Sequence, residues 1–219
     1  MGDSRRLIVL LVGSPKGLER SSSGRLAKVV TGILESRDWD CAPFHLHKTL
    51  ADATLEAEMY RAIDASDAVL LSFPLYVDGL PGPVVEALER IASRESARDT
   101  LRNPTQLVSI MNCGYLEPSH NFLAARMLRA FSEQAGFVWF GAVALGMAGM
   151  LRRRLEEALA HVANALNDDV LMPDIVSHLT EKPLFPRWLY IMAGNAMWKR
   201  QAKRLGAADR LRDRPYEKP

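Results

Sequence analysis

Six aliphatic residues in a row, Leu7 to Val12, open an alternation that runs through most of the chain. A run of that kind suits a strand covered on both faces, as in a parallel sheet. Comparable strand-like runs are expected at Trp39–Leu46, Ala68–Phe73, Gln106–Met111 and Phe137–Leu145. Between them the apolar spacing turns helical. Leu26, Val29, Val30, Ile33 and Leu34 trace a first helix, behind the N-cap candidates Ser21, Ser22 and Ser23. Helices follow at Leu55–Ala65, Pro83–Ala92, Phe122–Ala135 and Leu151–Leu166. Strands that alternate with helices predict an α/β fold with a doubly wound, five-stranded parallel sheet and right-handed crossovers.

Composition narrows the class. A chain of 219 residues, 48% hydrophobic, fills one α/β domain with an appendage. We expect a first domain over residues 1–169 and a helical, basic extension over residues 170–219. The two cysteines, Cys41 and Cys113, form no C-x-x-C pair, which argues against zinc and against a cysteine-held cluster. His45 and His47 have no companion ligands nearby in sequence, so no metal site is expected. Two free thiols suit a reducing, cytoplasmic setting. Met1–Arg6 is short and charged and does not read as a signal peptide. Gln134–Leu151 is free of charge, but Gly136, Gly141, Gly146 and Gly149 punctuate it. It reads as a buried strand and a glycine-rich loop rather than a membrane span.

Charge is unevenly spread. Net charge is +2, yet residues 181–219 hold ten Lys/Arg against four Asp/Glu, a surplus of +6, and the remainder carries −4. In this tail Leu184, Trp188, Ile191, Asn195, Trp198, Ala202 and Leu205 trace one stripe of a helix over Trp188–Leu205. Lys199, Arg200, Lys203 and Arg204 fall in its last turns, and Gly206 suits its C′ stop. Because Trp188–Trp198 is apolar nearly all round, burial in the domain or between subunits is the expectation, with a membrane-surface helix as the rival.

Three loops carry the candidate chemistry. All follow strands, after the first, third and fourth, so all reach the same edge of a parallel sheet. The first, Gly13–Ser23, leads into a helix N-terminus, where free N–H groups and the hydroxyls of Ser14, Ser21, Ser22 and Ser23 suit a phosphate. It has neither the Gly-Lys-Ser/Thr of a Walker loop nor G-x-G-x-x-G. The second, Pro74-Leu75-Tyr76-Val77-Asp78-Gly79-Leu80-Pro81, is a rigid turn in which Tyr76 can flank a flat ring and the amides near Val77 can meet its polar edge. Gly79 is expected to take the backbone shape that other residues resist. The third is Asn112-Cys113-Gly114-Tyr115. Asn112 offers a donor and an acceptor, and Gly114 permits close approach. Cys113 is expected to be a small buried residue, and His120 a helix-start residue.

Gly13-Ser14-Pro15…Ser21-x-Ser23-x-x-Leu26, Asp67-Ala68-Val69…Pro74-Leu75-Tyr76…Leu80-Pro81 and Asn112-Cys113-Gly114 together resemble the flavodoxin-like NAD(P)H-dependent oxidoreductases that include the NADPH-dependent FMN reductases. The similarity covers roughly residues 7–150. It implies strand order 2-1-3-4-5, FMN as cofactor and NAD(P)H as co-substrate. It also implies a small-molecule electron acceptor (a quinone, a flavin or similar) and a homodimer; no nucleic-acid partner is implied. Carried over, Ser14, Ser21 and Ser23 would hold the phosphate, Pro74, Leu75 and Tyr76 would border the ring, and Asn112 and Gly114 would contact its edge. Lys16-Gly17-Leu18-Glu19-Arg20 departs from the pattern, in which fewer bulky charges are expected. The chemistry of such a site belongs to the flavin, so no obligate catalytic side chain is named. A flavodoxin-type electron carrier and a non-flavin binding module on the same scaffold are the alternatives.

Overall fold

The computed structural model describes residues 5–95, 105–147, 153–181, 183 and 186–213. Five strands form one sheet: β1 (Arg6–Val12), β2 (Trp39–His45), β3 (Ala68–Pro74), β4 (Gln106–Asn112) and β5 (Val138–Leu145). Their order is β2-β1-β3-β4-β5, and every pairing is parallel. The fold is flavodoxin-like.

Alternation along each strand feeds two separate cores. Ile8, Leu10 and Val12 of β1 pack with Leu26, Val30 and Leu34 of α2 (Ser22–Glu35) and with Leu159, Val162 and Leu166 of α7 (Arg153–Asn167). Val9 and Leu11 point to the other face. There they join Met59 and Ile63 of α4 (Ala53–Ala65), Val84 and Ile91 of α5 (Gly82–Glu95), and Leu128 of α6 (Phe122–Ala135). A strand buried on both faces needs no polar positions, which is why Leu7–Val12 is unbroken.

Asp67 sets the register where β3 begins. Its carboxylate accepts from the Leu7 amide at 2.7 Å, and its backbone N–H donates to the Leu7 carbonyl at 2.9 Å. β2 lies at one rim of the sheet and carries Pro43 in its interior, as an edge strand can. It ends at His45, one residue before the expected limit, because Leu46 turns into the short helix α3 (Leu46–Thr49) and is fully buried there. In β5, Gly141 (φ +141°) takes up a register shift opposite Leu107 and Val108.

Two further helices went unread in the sequence. α1 (Gly17–Arg20) is a single turn, too short to show a period. α8 (Asp174–Glu181) lies between Pro173 and Pro183, which read as breaks; the Pro173 carbonyl instead accepts from the Val176 amide at the helix start.

The chain divides after Lys182, so α8 belongs with the sheet rather than with the extension expected from residue 170. The second unit, Pro183–Pro219, holds α9 (Arg187–Arg204). α9 ends as its sequence requires. Gly206 has φ +66°, the Gly206 amide donates to the Lys203 carbonyl, and the Ala207 amide to the Ala202 carbonyl, closing a Schellman cap. Within its own unit most of α9 is exposed. Among the described residues, no helix is long and apolar enough to cross a membrane. Gly149, Leu151, Arg152 and Leu184 lie outside the described residues.

Candidate functional site

The chain leaves β1 toward β2 on one side and returns to build β3, β4 and β5 on the other. Such a reversal opens a crevice at the carboxyl ends of the strands, between β1 and β3. The three loops meet there. Backbone ladders run one residue beyond the strands: Gly13 N–H donates to the Ser72 carbonyl, Leu75 N–H to the Asn112 carbonyl and Cys113 N–H to the Leu145 carbonyl. Gly13 is required for this approach, since a Cβ would lie 2.3 Å from Val84 Cγ2.

In the first loop most of the hydroxyls are already engaged. Ser21 is the N-cap of α2: its Oγ accepts from the Gly24 amide at 2.9 Å and donates to the Gly17 carbonyl at 2.5 Å. Ser14 is buried; its Oγ accepts from the Lys16 amide, and its carbonyl meets His45 Nε2 at 2.8 Å. Ser23 Oγ donates to Asn112 Oδ1 at 2.9 Å. Ser22 is half-buried, and its Oγ takes a hydrogen bond from Arg25 at 3.2 Å. Gly17–Arg20 forms α1 and folds over the start of α2, where a Cβ on Gly24 would overlap the Leu18 carbonyl.

The second loop is strained where none was anticipated. Tyr76 and Gly79 exchange backbone hydrogen bonds of 3.1 Å in each direction, closing a two-residue turn around Val77 (φ +50°) and Asp78 (φ +58°). Both φ values lie in the left-handed region, as in a type I′ turn. Gly79, expected to hold the unusual conformation, does not; the tight pairing of Tyr76 with Gly79 places it on the two residues between them. A β-branched residue there is an outlier costing about 1–3 kcal/mol, and such strain gathers at functional sites. Val77 is 94% exposed, so packing of its side chain does not explain the conformation. Pro74 ends β3 half-buried, and Leu75 is buried in the core.

The third loop separates its residues by role. Asn112 is buried and faces Ser23. Cys113 is buried too, and burial pushes its thiol pKa up, which suits the expected structural role. Gly114 is open, with nothing within 4 Å of a Cβ position. Tyr115 is 46% exposed and Tyr76 52%, so each loop offers one accessible aromatic ring.

His120 lies in a 3₁₀ turn, Pro118–Asn121, and does more than start a helix. Its Nδ1 meets Asp78 Oδ1 at 3.0 Å, and its ring stacks on Tyr115 with centroids 4.0 Å apart. Loops two and three are thereby joined by side chains. No sequence spacing announces this link, because its members are far apart in the chain and meet only across the sheet edge.

The comparisons agree with this architecture. Residues 6–111 match the family model described as NADPH-dependent FMN reductase. The matched stretch is a little under half of the chain, and over it the sequence is similar to that family. No curated protein matches the sequence. Among solved structures, the apo form of an NADH:FMN oxidoreductase is similar with a TM-score of 0.60 and 16% identity, covering 83% of this chain and 97% of that one. An NAD(P)H:quinone oxidoreductase from Methanothermobacter marburgensis matches with a TM-score of 0.55 and 14% identity, covering 75% and 96%. The rubredoxin oxygen:oxidoreductase of Desulfovibrio gigas matches with a TM-score of 0.54 and 16% identity over 74% of this chain, which spans only 36% of that larger protein. At these identities the likeness speaks for the fold.

The residues present fit a flavin better at the ring than at the phosphate. Two exposed tyrosines, the open approach at Gly114 and the strained turn suit a flat ring with a polar edge. At the phosphate end the hydroxyls of Ser21 and Ser23 already donate inside the protein, and Ser14 is buried. What the α2 start offers an anion is its leading N–H groups, Ser22, and the exposed cations Lys16, Arg20 and Arg25.

Proposed function

We propose that this chain is an FMN-dependent NAD(P)H oxidoreductase that passes electrons to a small acceptor such as a quinone or a free flavin. The observation that supports it most directly is the meeting of three loops at the switch point with one exposed tyrosine on each of the second and third. Bound flavin supplies hydride acceptance from nicotinamide and electron delivery to the acceptor. The protein's share is binding and orientation. Tyr76 and Tyr115 border the ring, with the backbone of Val77 and Asp78 at its polar edge and Gly114 leaving room beside it. Pro74 and Leu75 fix the turn from below, and Asn112 and Cys113 hold the third loop from inside. The N-terminus of α2 with Ser22, Lys16, Arg20 and Arg25 receives the phosphate. The hydroxyls of Ser14, Ser21 and Ser23 shape that loop rather than coordinate the anion.

The visible spectrum of protein loaded with FMN and freed of excess tests the reading, followed by NADH and NADPH without air. A retained yellow chromophore bleached by either nucleotide supports it. A chromophore that neither nucleotide bleaches would make the protein an electron carrier. No retention, together with no nicotinamide-driven flavin reduction on titration, would leave a non-flavin module.

A further inference from the structure

The second unit holds a helix whose polarity runs along its axis rather than across it. From Trp188 to Trp198 α9 carries no charged residue; Lys199, Arg200, Lys203 and Arg204 then follow within six positions. Trp188 is 65% exposed and Trp198 61%, and Ile191, Met192 and Met197 are exposed as well. These side chains do not share one face. At 3.6 residues per turn, Trp188 and Met197 lie about 180° apart around the helix. A protein groove covers one stripe of a helix, whereas a fluid apolar phase can cover its whole circumference. The apolar segment rises about 15 Å, close to half the roughly 30 Å hydrocarbon thickness of a bilayer.

The charge beyond it is complementary to one particular surface. The four cations end the helix, Arg210 and Arg212 continue the series, and all six are exposed. Nearby carboxylates are fewer: Asp209, and Asp213, which pairs with Arg210 at 3.1 Å. Compensation of the helix dipole accounts for cations in the last turns but not for eleven uncharged, largely exposed residues before them.

We propose that α9 docks this protein on an anionic phospholipid surface, with Trp188–Trp198 entering one leaflet obliquely and the basic end at the headgroup phosphates. It lies in the surface rather than crossing it, since only Trp188–Trp198 of the helix is free of charge, and that stretch is too short to span. The site at the sheet edge plays no part in this inference.

Flotation of the full-length protein tests it, on vesicles of phosphatidylcholine alone and of an equal mixture with phosphatidylglycerol. The expected result is roughly tenfold more protein on the anionic vesicles, falling as salt is raised. Tryptophan emission should shift to the blue on binding; of the chain's four tryptophans, Trp39 is already buried and serves as an internal folding control. The pair Trp188→Ser and Trp198→Ser should abolish both signals. The pair Lys199→Gln and Lys203→Gln should remove most of the preference for anionic lipid. Absence of flotation on either vesicle overturns the proposal, as does flotation that neither pair changes. Oligomers in light scattering that Trp188→Ser and Trp198→Ser dissolve, with no vesicle binding, would assign the helix to a second copy of the chain instead.

Discussion

Ser23 Oγ donates to Asn112 Oδ1 across 2.9 Å, joining two buried residues 89 positions apart. The same serine accepts at its backbone carbonyl from Ser72 Oγ at 2.9 Å, and the Asn112 carbonyl accepts from Leu75 N–H at 2.8 Å. The start of α2, the end of β3 and the third loop are thus held by one buried polar network. Ser23→Ala leaves the Asn112 carboxamide oxygen without this partner in a dry site. We expect a loss of about 1–3 kcal/mol of stability by urea denaturation. Ser23→Ala combined with Asn112→Ala should cost clearly less than the sum of the single changes, because the two residues share one interaction.

The strained turn predicts a gain. Val77→Gly at φ +50° removes steric strain, partly offset by the freer unfolded chain. The melting curve should show a net stabilisation of about 1 kcal/mol. Flavin affinity should stay unchanged, since the exposed Val77 side chain is assigned no contact with the ring.

Tyr76→Ala and Tyr115→Ala change accessible rings rather than core packing. Each should leave the melting temperature nearly unaltered while weakening FMN about tenfold, a loss of the size expected for one aromatic contact. Quenching of flavin fluorescence on titration measures it. Unaltered affinity in both variants would remove the ring from this crevice.

Gly24→Ala should destabilise, although alanine is the better helix former. The added methyl would overlap the Leu18 carbonyl, so α1 must lift from α2. Overpacking of this kind costs about 1–3 kcal/mol, read from the shift in the urea midpoint. Faster proteolytic cleavage between Lys16 and Arg20 would locate the displacement.

Acid should expose the role of Glu56. Its carboxylate accepts from Tyr60 Oη at 2.6 Å and from Arg90 at 2.9 Å, and the tyrosine bond, ahead of the arginine, holds its pKa below the ordinary glutamate value. A depressed carboxylate pKa stabilises above the unfolded value and loses that stabilisation as pH falls through the folded one. The melting-temperature gap between the wild type and Glu56→Gln should therefore narrow as pH is lowered from about 6 to about 3.

Much of this was legible in the residues themselves. Strands buried on both faces announce themselves as unbroken aliphatic runs, and Leu7–Val12 and Ala68–Phe73 lie where they were expected. Ser21 capped α2 and Gly206 closed α9 because capping chemistry is local. The site was legible only as far as its loops. That Asn112 takes a hydrogen bond from Ser23, and that Asp78 reaches His120, are tertiary facts between distant segments. The exchange of strain from Gly79 to Val77 and Asp78 was hidden for a related reason: the turn is fixed by the Tyr76–Gly79 pairing, which overrides residue preference.

The place of β1 between β2 and β3 sets a timetable for the growing chain. Its partner on one side follows soon, but Ile8 pairs with Ala68 on the other. At about 5–20 residues per second, that second partner leaves the ribosome roughly 3–12 seconds later. For that interval one edge of the most apolar strand has no neighbour, and a chaperone that shields nascent hydrophobic segments would find its best substrate in the first half of the sequence.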